Sequence, residues 1–235
     1  MKNLLMLTLA ITLTGAAVNT QAQTVDEIVG KHIEAMGGKE KLANLKATTT
    51  EGTMEAQGME LPFKATIINK RGMRIEFEVN GTQNIQVATT TGGWNLLGIQ
   101  QQTEPTDVSA DDLKDLAPEI DIEGELVNAK EKGNTLELIG KESEDSAEVY
   151  KIKLTRKDGN VANYFLDTKS YLIAKRTVNV GGQEIVNVLG DYKKADDGYT
   201  FASVVETLPA GVKLKIAKVT YNPPVDEKIF EKPVK

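Results

Sequence analysis

The sequence predicts a mainly β protein with a few helices, built on one wide antiparallel sheet that must curve. Three observations carry this. After Thr48, apolar and polar residues alternate at a period of two through most of the chain. The alternating runs are broken by tight-turn pairs, among them Asn80-Gly81, Asp158-Gly159, Gly181-Gly182 and Asp197-Gly198. About eleven such runs follow one another, and a sheet that wide accumulates right-handed twist until it curls, splits or closes.

The chain opens with Lys2 and an apolar run from Leu4 to Leu13, then small and polar residues up to Thr20-Gln21-Ala22. This is the anatomy of a cleavable secretory signal over residues 1–22, and the run is too short to span a bilayer as a helix. The expectation is an exported, periplasmic protein whose residues 23–235 form a single domain. The chain has no cysteine, so it carries no lipid-accepting residue of a lipoprotein signal and no disulfide.

The mature part begins with a helix from Thr24 to about Met36. Thr24 is its N-cap, Glu27 the capping-box partner, and Val25, Ile28, Val29 and Ile33 its apolar face. Gly37-Gly38 ends it, and a second short helix over Lys39–Leu45 leads into the sheet. Phe63, Ala65 and Ile67, then Met73, Ile75, Phe77 and Val79, alternate with charged residues across the turn at Lys70-Arg71-Gly72. Ile85 and Val87, then Trp94 and Leu96 after Gly92-Gly93, extend this hairpin to a four-strand meander. Alternation stops between about Thr103 and Glu125, where Ser109 caps a short helix over Asp111–Leu116 and Pro118 closes it. Seven more strands follow, Thr135–Gly140, Glu148–Thr155, Asn160–Asp167, Ile173–Val180, Glu184–Tyr192, Tyr199–Thr207 and Val212–Tyr221.

Net charge is -6, with 28 basic and 34 acidic residues and no basic block. That composition argues against nucleic acid or a bare anionic membrane as partner. His32 is the only histidine and has no cysteine to join it, so no metal centre, cofactor site or nucleophile-base pair is expected. His32 reads as a helix-surface residue and the glycine pairs as hairpin turns. Arg71 reads either as a solvated turn cation or as a group at the rim of an apolar concave sheet that could hold a polar head.

The order of elements resembles the LolA/LolB-like family of periplasmic outer-membrane lipoprotein-sorting proteins. The resemblance rests on Lys70-Arg71-Gly72, Gly92-Gly93-Trp94, Tyr164-Phe165-Leu166-Asp167 with Tyr171-Leu172-Ile173-Ala174-Lys175, and the tail Asn222-Pro223-Pro224-Val225-Asp226 with Phe230 and Pro233. It implies an incomplete, half-open β-barrel of about eleven strands covered by helices. It also implies that the protein is a carrier and not an enzyme, and that Arg71 is the counterpart of a functionally important turn arginine. One Trp and five Phe make a less aromatic lining than that family's carriers have.

The functional expectation is a monomeric carrier or binder of acylated lipoprotein, lipid or another apolar ligand, served by membrane-bound donor or acceptor proteins. Phe63, Ile67, Met73, Ile75, Phe77, Val87, Trp94 and Leu96 are expected to line the groove, with Arg71 at its mouth. The alternative is a sensor or protein-docking module of the same fold that binds no lipid.

Overall fold

The computed structural model describes residues 23–144 and 147–233; the expected signal over residues 1–22 lies outside them. Two helices, α1 (Val25–Ala35) and α2 (Lys39–Ala43), precede a first meander of β1 (Ala47–Ala56), β2 (Met59–Ile68), β3 (Gly72–Val79), β4 (Thr82–Thr89), β5 (Gly93–Leu97) and β6 (Thr106–Asp107). Helix α3 (Ala110–Leu116) and a 3-10 turn, Ala117–Ile120, open the irregular middle segment. A second meander follows: β7 (Thr135–Glu144), β8 (Ala147–Thr155), β9 (Val161–Asp167), β10 (Ile173–Val180), β11 (Gln183–Lys194), β12 (Thr200–Leu208) and β13 (Val212–Tyr221). A last 3-10 turn spans Glu227–Phe230.

All thirteen strands among the described residues form one antiparallel sheet in the order β6-β5-β4-β3-β2-β1-β13-β12-β11-β10-β9-β8-β7. The sheet stays open, with β6 and β7 as its edges, so the half-barrel expectation holds. Two strands were absent from the sequence count. β1 is rich in Thr with few strong apolar residues and reads weakly, and β6 has only two residues. The two meanders meet where β1 pairs with β13, Thr48 opposite Tyr221 and Met54 opposite Leu214. A bulge between Glu51 and Gly52 bends this seam. A Cβ on Gly52 would collide with the backbone carbonyl of Lys215 and touch Phe63, so the close approach requires glycine.

The inner face of the sheet is covered unequally. Over the second meander lies α1, capped as expected by Thr24 and Glu27 in a reciprocal box. Its Ile28 and Val29 pack with Leu126 on Tyr150, Ile152, Leu154, Ala162, Tyr164 and Leu166. Over the first meander lie α3 and the turn after it, with Leu113, Leu116 and Ile120 on Ile67, Met73, Ile75 and Ala88. The C-terminal turn takes the opposite, outer face, where Phe230 and Ile229 cover Ile85, Val87, Trp94 and Leu96.

His32 corrects its surface reading, being only 5% exposed. Its Nδ1 donates to the Tyr171 carbonyl over 2.9 Å. Burial drives this imidazole below its ordinary pKa, and the hydrogen bond offsets the effect only in part. The ring therefore holds off a proton to a lower pH in the fold than in the unfolded chain, which gains one as the pH falls past about 6.5. The unfolded state then binds more protons, and stability falls as the pH drops. The thermal midpoint should decline between about pH 6.5 and pH 5 more steeply in the wild type than in His32→Gln; equal slopes would show that His32 is not the group responsible.

Candidate functional site

Register decides which side chains share the inner face. Tyr164 stands opposite Ile152 and Arg176, Arg176 opposite Asn187, and Asn187 opposite Thr207. Leu189 opposes Val205, which opposes Leu214, which opposes Met54. These positions therefore continue the face that α1 covers further along the sheet. The helices cover the middle strands only at their ends, α1 near Ile173 and α2 at Tyr199 and Tyr221, and a cleft of about 470 Å³ opens between. Its wall is Val178, Ile185, Leu189, Val205 and Leu214, with Arg176, Asn187 and Thr207 among them and Asp115 and Glu119 facing from the α3 side. The size is within the range of roughly 300–1,000 Å³ usual for small-molecule sites.

A buried charge cluster forms one end of this cleft. Glu125, 8% exposed, accepts from Arg156 Nε at 2.5 Å and Nη2 at 3.0 Å, from Tyr164 Oη at 2.7 Å and from Arg176 Nη2 at 3.1 Å. Arg176 Nη1 donates to Glu119 at 2.8 Å. Burial works to raise the Glu125 carboxyl pKa, but the bonds from Arg156 and Tyr164 and the two guanidinium charges outweigh it and hold it below the usual range. Burial raises the Tyr164 phenol, which stays protonated as a donor. The cluster ties the middle segment, through Glu119 and Glu125, to strands β9 and β10 and to Arg156 beside them.

The nine residues expected to line the groove do not share one surface. Phe63, Ile67, Met73, Ile75 and Phe77 are in register on the inner face. There α3 fills the space over Ile67, Met73 and Ile75, leaving Met73 2% exposed. Phe63 and Phe77, paired across β2 and β3, line a separate hollow of about 420 Å³. Val87, Trp94 and Leu96 point to the outer face, because Val87 opposes Arg74, one residue out of phase with Met73 and Ile75. Trp94 is closed off there, its Nε1 donating to the Phe230 carbonyl at 2.9 Å. Arg71 is exposed in the β2–β3 turn, and its carbonyl accepts from Thr90 N.

The residues that do line the open cleft were missed, although a signal existed. Only four of the 28 basic residues are arginines, and Arg176 stands in phase with Ala174, Val178 and Val180 on a half-buried strand. An arginine at such a position reads as one held by a buried carboxylate. Among the described residues no group of three or more His, Cys, Asp or Glu is arranged to hold a metal ion, and no helix is long and apolar enough to cross a membrane.

Solved structures with this architecture define its class. A domain assigned to outer membrane lipoprotein sorting, from Vibrio parahaemolyticus, is 15% identical, with 87% of this chain and 94% of that one aligned at a TM-score of 0.56. A LolA superfamily protein from Nitrosomonas europaea is 13% identical over 90% and 99% of the two chains at 0.56. A DUF1329 family protein from Desulfovibrio piger is 13% identical over 88% and 97% at 0.58. No protein-family model and no curated protein matches the sequence. The chain has the LolA-like fold, a single open half-barrel with helices on its inner face.

The charge cluster supports a stability prediction. Replacing Glu125 with Ala leaves two guanidinium groups facing each other without their shared counter-ion, and urea unfolding should show a loss of about 3 kcal/mol. The same change at Asp111, whose pair with Lys114 is exposed, should leave the urea midpoint nearly unchanged. Equal losses would mean that the cluster does not hold the middle segment down.

Proposed function

We propose that this protein is an exported carrier or binder of apolar ligands, such as the acyl chains of lipids or lipoproteins, which it holds in the inner cleft of its half-barrel. One observation carries the reading. Val178, Ile185, Leu189, Val205 and Leu214 point to the inside of the sheet yet all remain partly exposed, whereas Ile152, Leu154 and Leu166 under α1 and Met73 and Ala88 under α3 are closed. Burying one CH₂ group of a ligand against such a wall contributes about 0.8 kcal/mol, so a single chain could be held and released reversibly.

The signal-like first 22 residues support a role in the periplasm, and membrane-bound proteins that load or unload the chain are the partners this role calls for. The LolA-like fold supports the reading, since two solved structures of that architecture carry lipoprotein-sorting or LolA descriptions. The binding residues proposed here are those of β10 to β13 and not Arg71 and the strands beside it.

The test uses the delipidated protein and a fluorescent acyl probe. Leu189→Glu puts a charge in the apolar wall at a site open enough to tolerate it, and should weaken probe binding at least about tenfold while the thermal midpoint stays within a few degrees. Unchanged binding by the folded variant would remove the cleft from consideration. If the wild type bound no acyl probe, the protein-docking alternative would take its place.

A further inference from the structure

The cleft wall is striped. Arg176, Asn187 and Thr207 form one cross-strand row on the inner face. An apolar row lies on each side of it, Val178 with Ile185 on one and Leu189 with Val205 and Leu214 on the other. A ligand lying along the strands would set apolar segments against the outer rows and a polar group against the middle one, within the cleft and away from bulk water.

The charges around that row are already spent. The only basic residues of the lining are Arg156 and Arg176. Arg156 gives Nε and Nη2 to Glu125, and Arg176 gives Nη2 to Glu125 and Nη1 to Glu119. With Asp115 also facing the cleft, two cations meet three carboxylates. An anionic head would have to displace a carboxylate from a bidentate or doubly paired guanidinium, and would itself be repelled by Glu119 and Asp115.

What remains on offer is neutral hydrogen bonding. Asn187 Oδ1 accepts from Thr207 Oγ1 at 3.0 Å, which leaves the Asn187 amide N–H groups as donors and the Thr207 oxygen as an acceptor. Arg176 Nε is buried and has no hydrogen-bond partner among the described residues. A carbonyl oxygen is the acceptor that such a row lacks.

We infer that the cleft selects an acyl compound whose polar group is an uncharged ester or amide, seated on the row Arg176-Asn187-Thr207, and that it rejects a free carboxylate or phosphate head. Asn187 is then the specificity-determining residue, since it stands between Ile185 and Leu189 of the two apolar rows and its amide is bound to no carboxylate. The inference rests on the carrier reading above and adds the chemical class of the cargo.

The experiment displaces a bound hydrocarbon-tailed fluorescent probe with monolauroylglycerol or with laurate, at about pH 8 where the free acid is ionised. The ester should compete at least about tenfold more strongly than the acid of the same chain length. Asn187→Leu should abolish that preference, the ester then competing no better than laurate, and Glu119→Gln, which removes one negative charge beside Arg176, should improve competition by laurate. Laurate competing as well as the ester in the wild type overturns the inference and leaves the carrier reading standing. Failure of the probe itself to bind overturns both.

Discussion

Every functional feature of this protein follows from the mismatch between a thirteen-strand sheet and the little chain available to cover it. Twist forces so wide a sheet to curve, and curvature gives it an inside. The inside of an antiparallel sheet is apolar by alternation and needs a second layer. Helix α1 supplies that layer over β8 and β9, and α3 with the turn behind it supplies it over β3 and β4. Between these covers lie β10 to β13, where the inner side chains from Val178 across to Leu214 have no layer of their own. The cleft is the part of the inner face that these covers leave open.

The buried cluster around Glu125 stands at the border between the filled and the open parts. It lies next to Leu126, which belongs to the core beneath α1, and it faces Arg176 on the cleft side. Four hydrogen bonds to one carboxylate offset the desolvation of that group and hold the middle segment in place. Substituting apolar residues would fill the same volume, but would not leave a neutral, donor-bearing strip beside an apolar wall.

Much of the fold was legible in the sequence, because local rules and global architecture agree. The capping box at Thr24 and Glu27, the cap at Ser109, and strands at Ile173–Val180 and Val212–Tyr221 are where the residues point. The site was less legible, for a reason of phase. In β2 and β3 the strongly apolar positions face inward, and they drew attention as a groove wall. In β4 and β5 the strongly apolar positions Val87, Trp94 and Leu96 face outward beneath the C-terminal tail. A pattern of apolar residues identifies a covered face and does not tell which cover it has. Nor does it show that α3, a helix with few large side chains, is enough to fill the inner space over Met73. The open wall is the less apolar one, interrupted by Arg176, Asn187 and Thr207, and alternation alone ranks it lower.

The seam between β1 and β13 has a different kind of consequence. Each meander is assembled from hairpins between sequence neighbours, which form quickly, but the seam joins residues from opposite ends of the chain. Among the described strands it is the one pairing between segments distant in sequence, so the chain-closure entropy of the sheet falls on it. Until β13 arrives, β1 presents a ten-residue strand rich in threonine with one edge unsatisfied, the kind of edge to which stray strands add. The last strand made is thus also the one that ends the exposure of β1 to aggregation.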